Sequence, residues 1–206
     1  WLARPYGQLD PGRANRLLHL ALHQVVSQPK KFVLLGATGS IGESTLRVLR
    51  KHPDKLELVG ISARQQASKL AKIAHEFSVP YACLEQPPEA GISFPDGTEL
   101  LHGLDGIETL AALSDAEIVV IAVVGAAGLL PTLSAAKAGK NIVLANKEAL
   151  VVGGELVTHT ASQHGARLIP ADSEHNAVFQ CLQGQVENSL DSIILTASGG
   201  PFRDLP

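Results

Sequence analysis

The junction at residues 32–42 constrains this chain more than any other feature. A short apolar run, Phe32-Val33-Leu34-Leu35, passes directly into Gly36-Ala37-Thr38-Gly39-Ser40-Ile41-Gly42. A helical pattern from Glu43 to Lys51 follows. Glycine in such a loop permits a tight turn, close approach of backbone to a pyrophosphate, and close packing of helix on strand. The helix N-terminus then presents free N–H groups and the positive end of its dipole to the anion. Thr38 and Ser40 add hydroxyl donors. The spacing is G-x-x-G-x-x-G, not the commoner G-x-G-x-x-G, so the strand–turn–helix context carries the weight. The competing reading is a tight turn with no ligand.

The same alternation recurs downstream. Leu58-Val59-Gly60-Ile61, Ile118 to Val123, Ile142 to Ala145, Arg167 to Pro170 and Ile193 to Thr196 read as buried strands. They are nearly continuous apolar runs, which implies burial on both faces, as in a parallel sheet covered by helices. Ser68–Phe77, Leu130–Ala138 and Gly154–Gln163 read as helices between them. This order predicts an α/β fold with a doubly wound, mostly parallel Rossmann-type sheet. Residues 86–106, rich in Pro and Gly, read as loop or hairpin.

Composition removes other classes. The 206 residues are 45% hydrophobic, enough for a sizeable core. A formal charge of −3 with 18% charged residues argues against a basic nucleic-acid surface. No apolar run reaches the roughly 18 residues that span a bilayer. Cys83 and Cys181 make neither a disulfide framework nor a paired metal spacing, and both read as structural. Residues 1–30 differ from the rest: Leu17, Leu18, Leu20, Leu22, Val25 and Val26 fit one side of a helix, interrupted by His19 and His23. That suits neither a signal peptide nor a serine-rich transit peptide. The segment reads as an unassigned extension. With no methionine and a start at Trp1, the chain reads as an excerpt of a longer protein. The expected compartment is the cytoplasm, with a plastid origin as the alternative.

The strand ends carry the chemistry. The second strand runs into Ser62-Ala63-Arg64-Gln65-Gln66, with no carboxylate for ribose hydroxyls. Arg64 can instead neutralise a 2′-phosphate, which favours NADP(H) over NAD(H). Asn146-Lys147-Glu148 closes another strand, where open α/β sheets bind ligands. Lys147 can bind an anionic or carbonyl substrate and Asn146 the nicotinamide end. Equally, the segment can be a helix start with Glu148 as a first-turn charge. In Asp172-Ser173-Glu174-His175-Asn176, an extended backbone would point Asp172 and Glu174 the same way. Two such carboxylates suit a hard divalent cation. The alternative is an acidic cap on a helix beginning near His175. Ser198-Gly199-Gly200 can form a phosphate nest or a plain turn.

Five motifs in order resemble one family: residues 36–42; Val124-Gly125-Ala126-Ala127-Gly128-Leu129-Leu130-Pro131-Thr132; Leu144-Ala145-Asn146-Lys147-Glu148; Asp172-Ser173-Glu174-His175-Asn176; and Ser198-Gly199-Gly200-Pro201-Phe202. Together they look like the N-terminal half of a 1-deoxy-D-xylulose 5-phosphate reductoisomerase, over residues 31–206. The resemblance implies an NADPH-binding domain over residues 31–171 and the truncated start of an α+β catalytic domain over 172–206. It implies conversion of 1-deoxy-D-xylulose 5-phosphate to 2-C-methyl-D-erythritol 4-phosphate, a step of non-mevalonate isoprenoid synthesis. The carbon skeleton would rearrange by retro-aldol cleavage and re-addition before hydride reduction. The cofactors would be NADPH and Mg²⁺ or Mn²⁺, with Co²⁺ a third candidate, and the full-length protein would be a homodimer.

By matching positions, Thr38, Gly39, Ser40 and Ile41 would hold the pyrophosphate. Arg64, Gln65 and Gln66 would face the adenosine phosphate, and Asn146 and Glu148 the cofactor. Lys147, Ser173, Glu174 and Ser198 would bind the substrate, with Lys147 and Glu174 catalytic. Asp172 and Glu174 would be metal ligands. The family often has glycine, a basic residue and asparagine where this chain has Arg64-Gln65-Gln66. Its third metal ligand and flap lie beyond Pro206, so the chain by itself is expected not to turn over.

Two other enzyme readings fail. A short-chain dehydrogenase needs Tyr-x-x-x-Lys, but Asp10 and Glu85 stand four residues after Tyr6 and Tyr81. A semialdehyde dehydrogenase needs an activated cysteine. A non-catalytic NADP-binding redox sensor would have no use for the Asp172/Glu174 pair.

Overall fold

A computed structural model describes residues 28–186 and 189–194. Seven parallel strands form one sheet: β1 (Lys30–Leu35), β2 (Leu56–Ala63), β3 (Tyr81–Leu84), β4 (Glu99–His102), β5 (Ile118–Ile121), β6 (Asn141–Leu144) and β7 (Arg167–Pro170). Their order across the sheet is β4-β3-β2-β1-β5-β6-β7. The chain lays strands outward from β1 to β4, then returns to β1's other side and lays β5 to β7. The topological switch point therefore lies between β1 and β5, where doubly wound sheets bind ligands beyond the strand carboxyl ends.

Burial follows from the apolar runs. Side chains alternate faces along β1. Phe32 and Leu34 join one core with Leu46, Leu49, Leu70 and Ile73. These come from α1 (Ser40–Lys51) and α2 (Ala67–Phe77). Val33 and Leu35 join a second core with Leu110, Ala135, Ala136 and Ala161. Those come from α3 (Gly103–Ala111), α4 (Leu129–Lys137) and α5 (Lys147–His164). Each fully buried Leu or Val contributes about 1.5–3 kcal/mol from removal from water, so the two cores fix the sheet's centre firmly. The last helix, α6 (Ser173–Leu182), buries no residue.

The expected α/β class and parallel sheet are both present. Boundaries moved where glycine misled. Residues 85–98 are irregular, but Glu99–His102 is an edge strand and Gly103–Ala111 a helix, not loop or hairpin. Gly106 serves packing there: a Cβ would lie 3.0 Å from Cys83 Sγ. α5 starts at Lys147 instead of Gly154, because the helix continues across a kink at Gly153. α6 starts at Ser173, so the extended backbone expected through Asp172–Glu174 is absent. Ile193 and Ile194 form no strand and are exposed, since no described strand pairs with them. Residues 1–27, with most of the N-terminal helical pattern, lie outside the described residues, as do Leu195 to Pro206, including Ser198.

Candidate functional site

The loop after β1 is held from three sides. Gly36 and Ala37 donate their backbone N–H groups to the Ser62 carbonyl at 3.1 and 2.8 Å, and Gly36 N–H also reaches Ser62 Oγ at 3.1 Å. Gly36 has φ +86°, and a Cβ there would sit 2.5 Å from the Ala122 carbonyl oxygen. A Cβ on Gly42 would sit 2.5 Å from the Gly36 and Ala37 oxygens. Both glycines are therefore demanded by the fold itself.

Gly39 is different. Its φ is −82° and ψ 177°, open to any residue. A Cβ there would meet only the Gly36 oxygen, at 3.5 Å, an ordinary contact. Gly39 N-caps α1 without a side chain. Among the described residues no acceptor takes the N–H of Ser40, Ile41 or Gly42; the first bond into the helix is Glu43 N–H to Gly39 O at 2.9 Å. Unpaired N–H groups beside a residue with no side chain form a cradle suited to an anionic phosphate. The fold demands two of these glycines and leaves the third open to an anion.

At the end of β2, Arg64, Gln65 and Gln66 are exposed and line a cleft of about 550 Å³. Lys69, Glu85 and Ile92 also line it. Arg64 Nε donates to Glu85 Oε2 at 3.0 Å. Both side chains are largely exposed, so this pair contributes at most about 1 kcal/mol and leaves the guanidinium exchangeable to a phosphate.

Beyond β5, Gly125–Gly128 forms a short 3-10 turn leading into α4. Asn146 ties this turn to α5. Its Nδ2 donates to the Val123 carbonyl at 2.5 Å and to the Gly125 carbonyl at 2.8 Å. Its Oδ1 accepts from the Ala149 N–H at 2.7 Å, the N-cap bond of α5. Only 1% of Asn146 is exposed, and a Cβ on Gly128 would collide with its amide. The side chain is thus a strut between the two loops, facing protein.

Lys147 and Glu148 begin α5, which realises the helix-start reading of this segment. Lys147 remains at the sheet's carboxyl edge with its side chain 62% exposed, its Nζ 3.8 Å from Asp172 Oδ2. Asp172 N-caps α6, and Glu174 lies in the first turn. The acidic-cap reading therefore holds for the backbone, with Glu174 two residues beyond the Asp172 N-cap. Asp172 Oδ1 also lies 3.2 Å from His175 Nδ1. Burial pushes the Asp172 carboxyl upward, but the neighbouring Glu174, Lys147 and His175 outweigh it, so its pKa falls below the usual value. Two carboxylates suit a hard cation; no group of three or more His, Cys, Asp or Glu is arranged to hold a metal ion among the described residues. Asn176 Nδ2 donates to the Pro170 carbonyl at 2.6 Å and ties α6 to β7.

Cys83 is buried and its thiol is pushed up to about 11 by burial, which excludes an activated nucleophile there. Cys181 is exposed, not a buried structural residue, because α6 buries nothing. Sequence reasoning passed over Ser62, Lys69 and Glu85. Their positions near the end of β2, directly after β3 and on α2 were the available signal. No helix among the described residues is long and apolar enough to cross a membrane.

The fold and the glycine loop define a Rossmann-like α/β domain. A family model described as 1-deoxy-D-xylulose 5-phosphate reductoisomerase matches residues 32–154, and one for that enzyme's C-terminal domain matches residues 168–206. The chain belongs to the 1-deoxy-D-xylulose 5-phosphate reductoisomerase family. A reductoisomerase of this name from Cellvibrio japonicus is 43% identical over 196 residues, covering 88% of this chain and 49% of the relative. One from Thermosynechococcus vestitus is 48% identical over 183 residues, covering 86% and 44%. The chain thus spans about half the length of the curated relatives it matches. The Zymomonas mobilis enzyme solved in complex with NADPH is 37% identical with a TM-score of 0.77, covering 86% of this chain and 48% of that one. A DOX-P reductoisomerase solved with NADPH, fosmidomycin and magnesium is 42% identical with a TM-score of 0.72, covering 75% and 39%.

Proposed function

We propose that this chain is the cofactor-binding half of an enzyme that rearranges and reduces 1-deoxy-D-xylulose 5-phosphate to 2-C-methyl-D-erythritol 4-phosphate. The carrying observation is the shared sheet edge: the glycine cradle, Lys147 and the Asp172/Glu174 pair all stand at carboxyl ends of parallel strands, in a chain of this family. NADPH would supply the hydride, and Mg²⁺, Mn²⁺ or Co²⁺ would polarise the substrate's carbonyl and hydroxyl oxygens.

The chain's own residues bind and orient. The N–H groups of Ser40, Ile41 and Gly42 hold the pyrophosphate, with Thr38 and Gly39 shaping the loop. Arg64, with Gln65 and Gln66, takes the 2′-phosphate by leaving Glu85. Asp172 and Glu174 ligate the cation, and Ser173 and Ser198 bind substrate. Lys147 adds positive charge where alkoxide or enolate charge develops. Asn146 acts through its loop contacts, setting the start of α5 so that Lys147 and Glu148 face the site. Residues 31–171 form the cofactor domain and 172–206 open the catalytic one. Two carboxylates are an incomplete ligand set, so the 206-residue chain alone binds NADPH without turnover. The whole protein is read as a cytoplasmic homodimer.

The test is NADPH oxidation by the full-length protein with 1-deoxy-D-xylulose 5-phosphate and Mn²⁺, beside Mn²⁺ affinity in Asp172→Asn. Metal-dependent turnover in the wild type, with weakened Mn²⁺ binding in the variant, supports the enzyme. No turnover and unchanged Mn²⁺ affinity would support a non-catalytic NADP-binding sensor instead.

A further inference from the structure

The helix that would receive the pyrophosphate carries a conflict. Glu43 stands in the first turn of α1, where its carboxylate would repel a second anion. Lys69, from the first turn of α2, resolves it. Its Nζ lies 2.8 Å from Glu43 Oε1 and donates to the Thr38 carbonyl oxygen at 2.9 Å. The Lys69 ammonium beside Glu43 holds that carboxyl below its usual value, against a smaller opposing effect of burial.

The Thr38 bond anchors the loop just ahead of α1, where Gly39 leads in with extended backbone and the N–H groups of Ser40, Ile41 and Gly42 are left without acceptors among the described residues, as at any helix start. The same lysine lines the cleft beside Arg64, Gln65 and Gln66. It therefore joins the loop assigned to the adenosine phosphate with the loop assigned to the pyrophosphate.

We infer that Lys69 is a positioning residue for the dinucleotide pyrophosphate: it anchors the glycine loop through the Thr38 carbonyl and neutralises Glu43. The inference rests on the NADPH reading above. It makes Lys69 a determinant of affinity for both dinucleotides, since both carry the pyrophosphate, whereas Arg64 acts only through the 2′-phosphate.

The experiment titrates NADPH and NADH into the full-length protein by nicotinamide fluorescence, with melting temperature as the folding check. In Lys69→Met, both affinities should fall by a common factor of about ten. Lys69→Arg should stay within about threefold of wild type, because it keeps the charge and the donor. Adding Glu43→Gln to Lys69→Met should recover part of the loss, a coupling that simple structural damage would not produce. Lys69→Gln replaces the methionine variant if the latter does not fold. Unchanged affinities in a folded Lys69→Met would overturn the proposal. So would a loss confined to NADPH, which would assign Lys69 to the 2′-phosphate. A wild-type protein that binds neither nucleotide would instead overturn the cofactor reading on which the proposal stands.

Discussion

The two ends of the site are built by different means. At the glycine loop, the proposed recognition is by backbone, and two cores position it. The loop is fixed to Ser62 and crowded against Ala122, and α1 buries Gly42, Leu46 and Leu49 behind it. At Asp172 and Glu174, the proposed recognition is by side chains at the outer edge of the sheet. β7 is exposed or half-buried along its length, and α6 buries nothing. A backbone site can be complete within one domain. A side-chain site on an open edge draws its rigidity and remaining ligands from whatever packs over it.

Substitutions should separate the two ends. The largest effect is expected from Gly36→Ala, which puts a Cβ into the Ala122 carbonyl at a φ unfavourable to alanine. It should destabilise the protein by about 3–4 kcal/mol in urea unfolding and abolish NADPH binding. Asn146→Ala comes next, leaving the Val123 and Gly125 carbonyls and the Ala149 N–H without their partner. A loss of about 2–3 kcal/mol is expected by the same measurement. Asp172→Asn should weaken Mn²⁺ binding, read by isothermal titration, by about a hundredfold while changing unfolding by under about 1 kcal/mol. A large stability loss in Asp172→Asn would erase the contrast between the two ends. The smallest effect is reserved for Arg64→Ala. NADPH affinity should drop about tenfold, NADH affinity should not move, and the melting temperature should hold, because the Glu85 pair is a surface pair. Equal wild-type affinity for the two nucleotides would remove Arg64 from 2′-phosphate recognition.

The legibility of the sequence followed the same division. Phe32 to Leu35 and Ile118 to Ile121 read as strands because burial on both faces leaves no polar position. The edge strand Glu99–His102 escaped notice because an edge needs no continuous apolar run. Gly103 and Gly106 disguised α3, since glycine signals both a turn and a close helix contact, and only the packed neighbour distinguishes them. The glycine cradle was readable because its chemistry lies in consecutive residues. Lys69 and Glu85 were not, because their roles depend on α2 and β3 arriving beside the loop from far along the chain. For Asp172 and Glu174 the composition pointed to a metal pair, but the extended geometry offered for it was wrong. A helix start places Asp172 at the N-cap and Glu174 in the first turn instead.

Gly39 separates ligand binding from folding most sharply, because neither its backbone angles nor its packing require a glycine. The decisive measurement is the NADPH dissociation constant of Gly39→Ala in the full-length protein, taken beside its unfolding free energy. Stability should stay within about 1 kcal/mol of wild type, the cost of alanine at an N-cap, while NADPH affinity falls at least about thirtyfold. Unchanged NADPH affinity in the folded variant would contradict the cradle and return the loop to a plain βα turn.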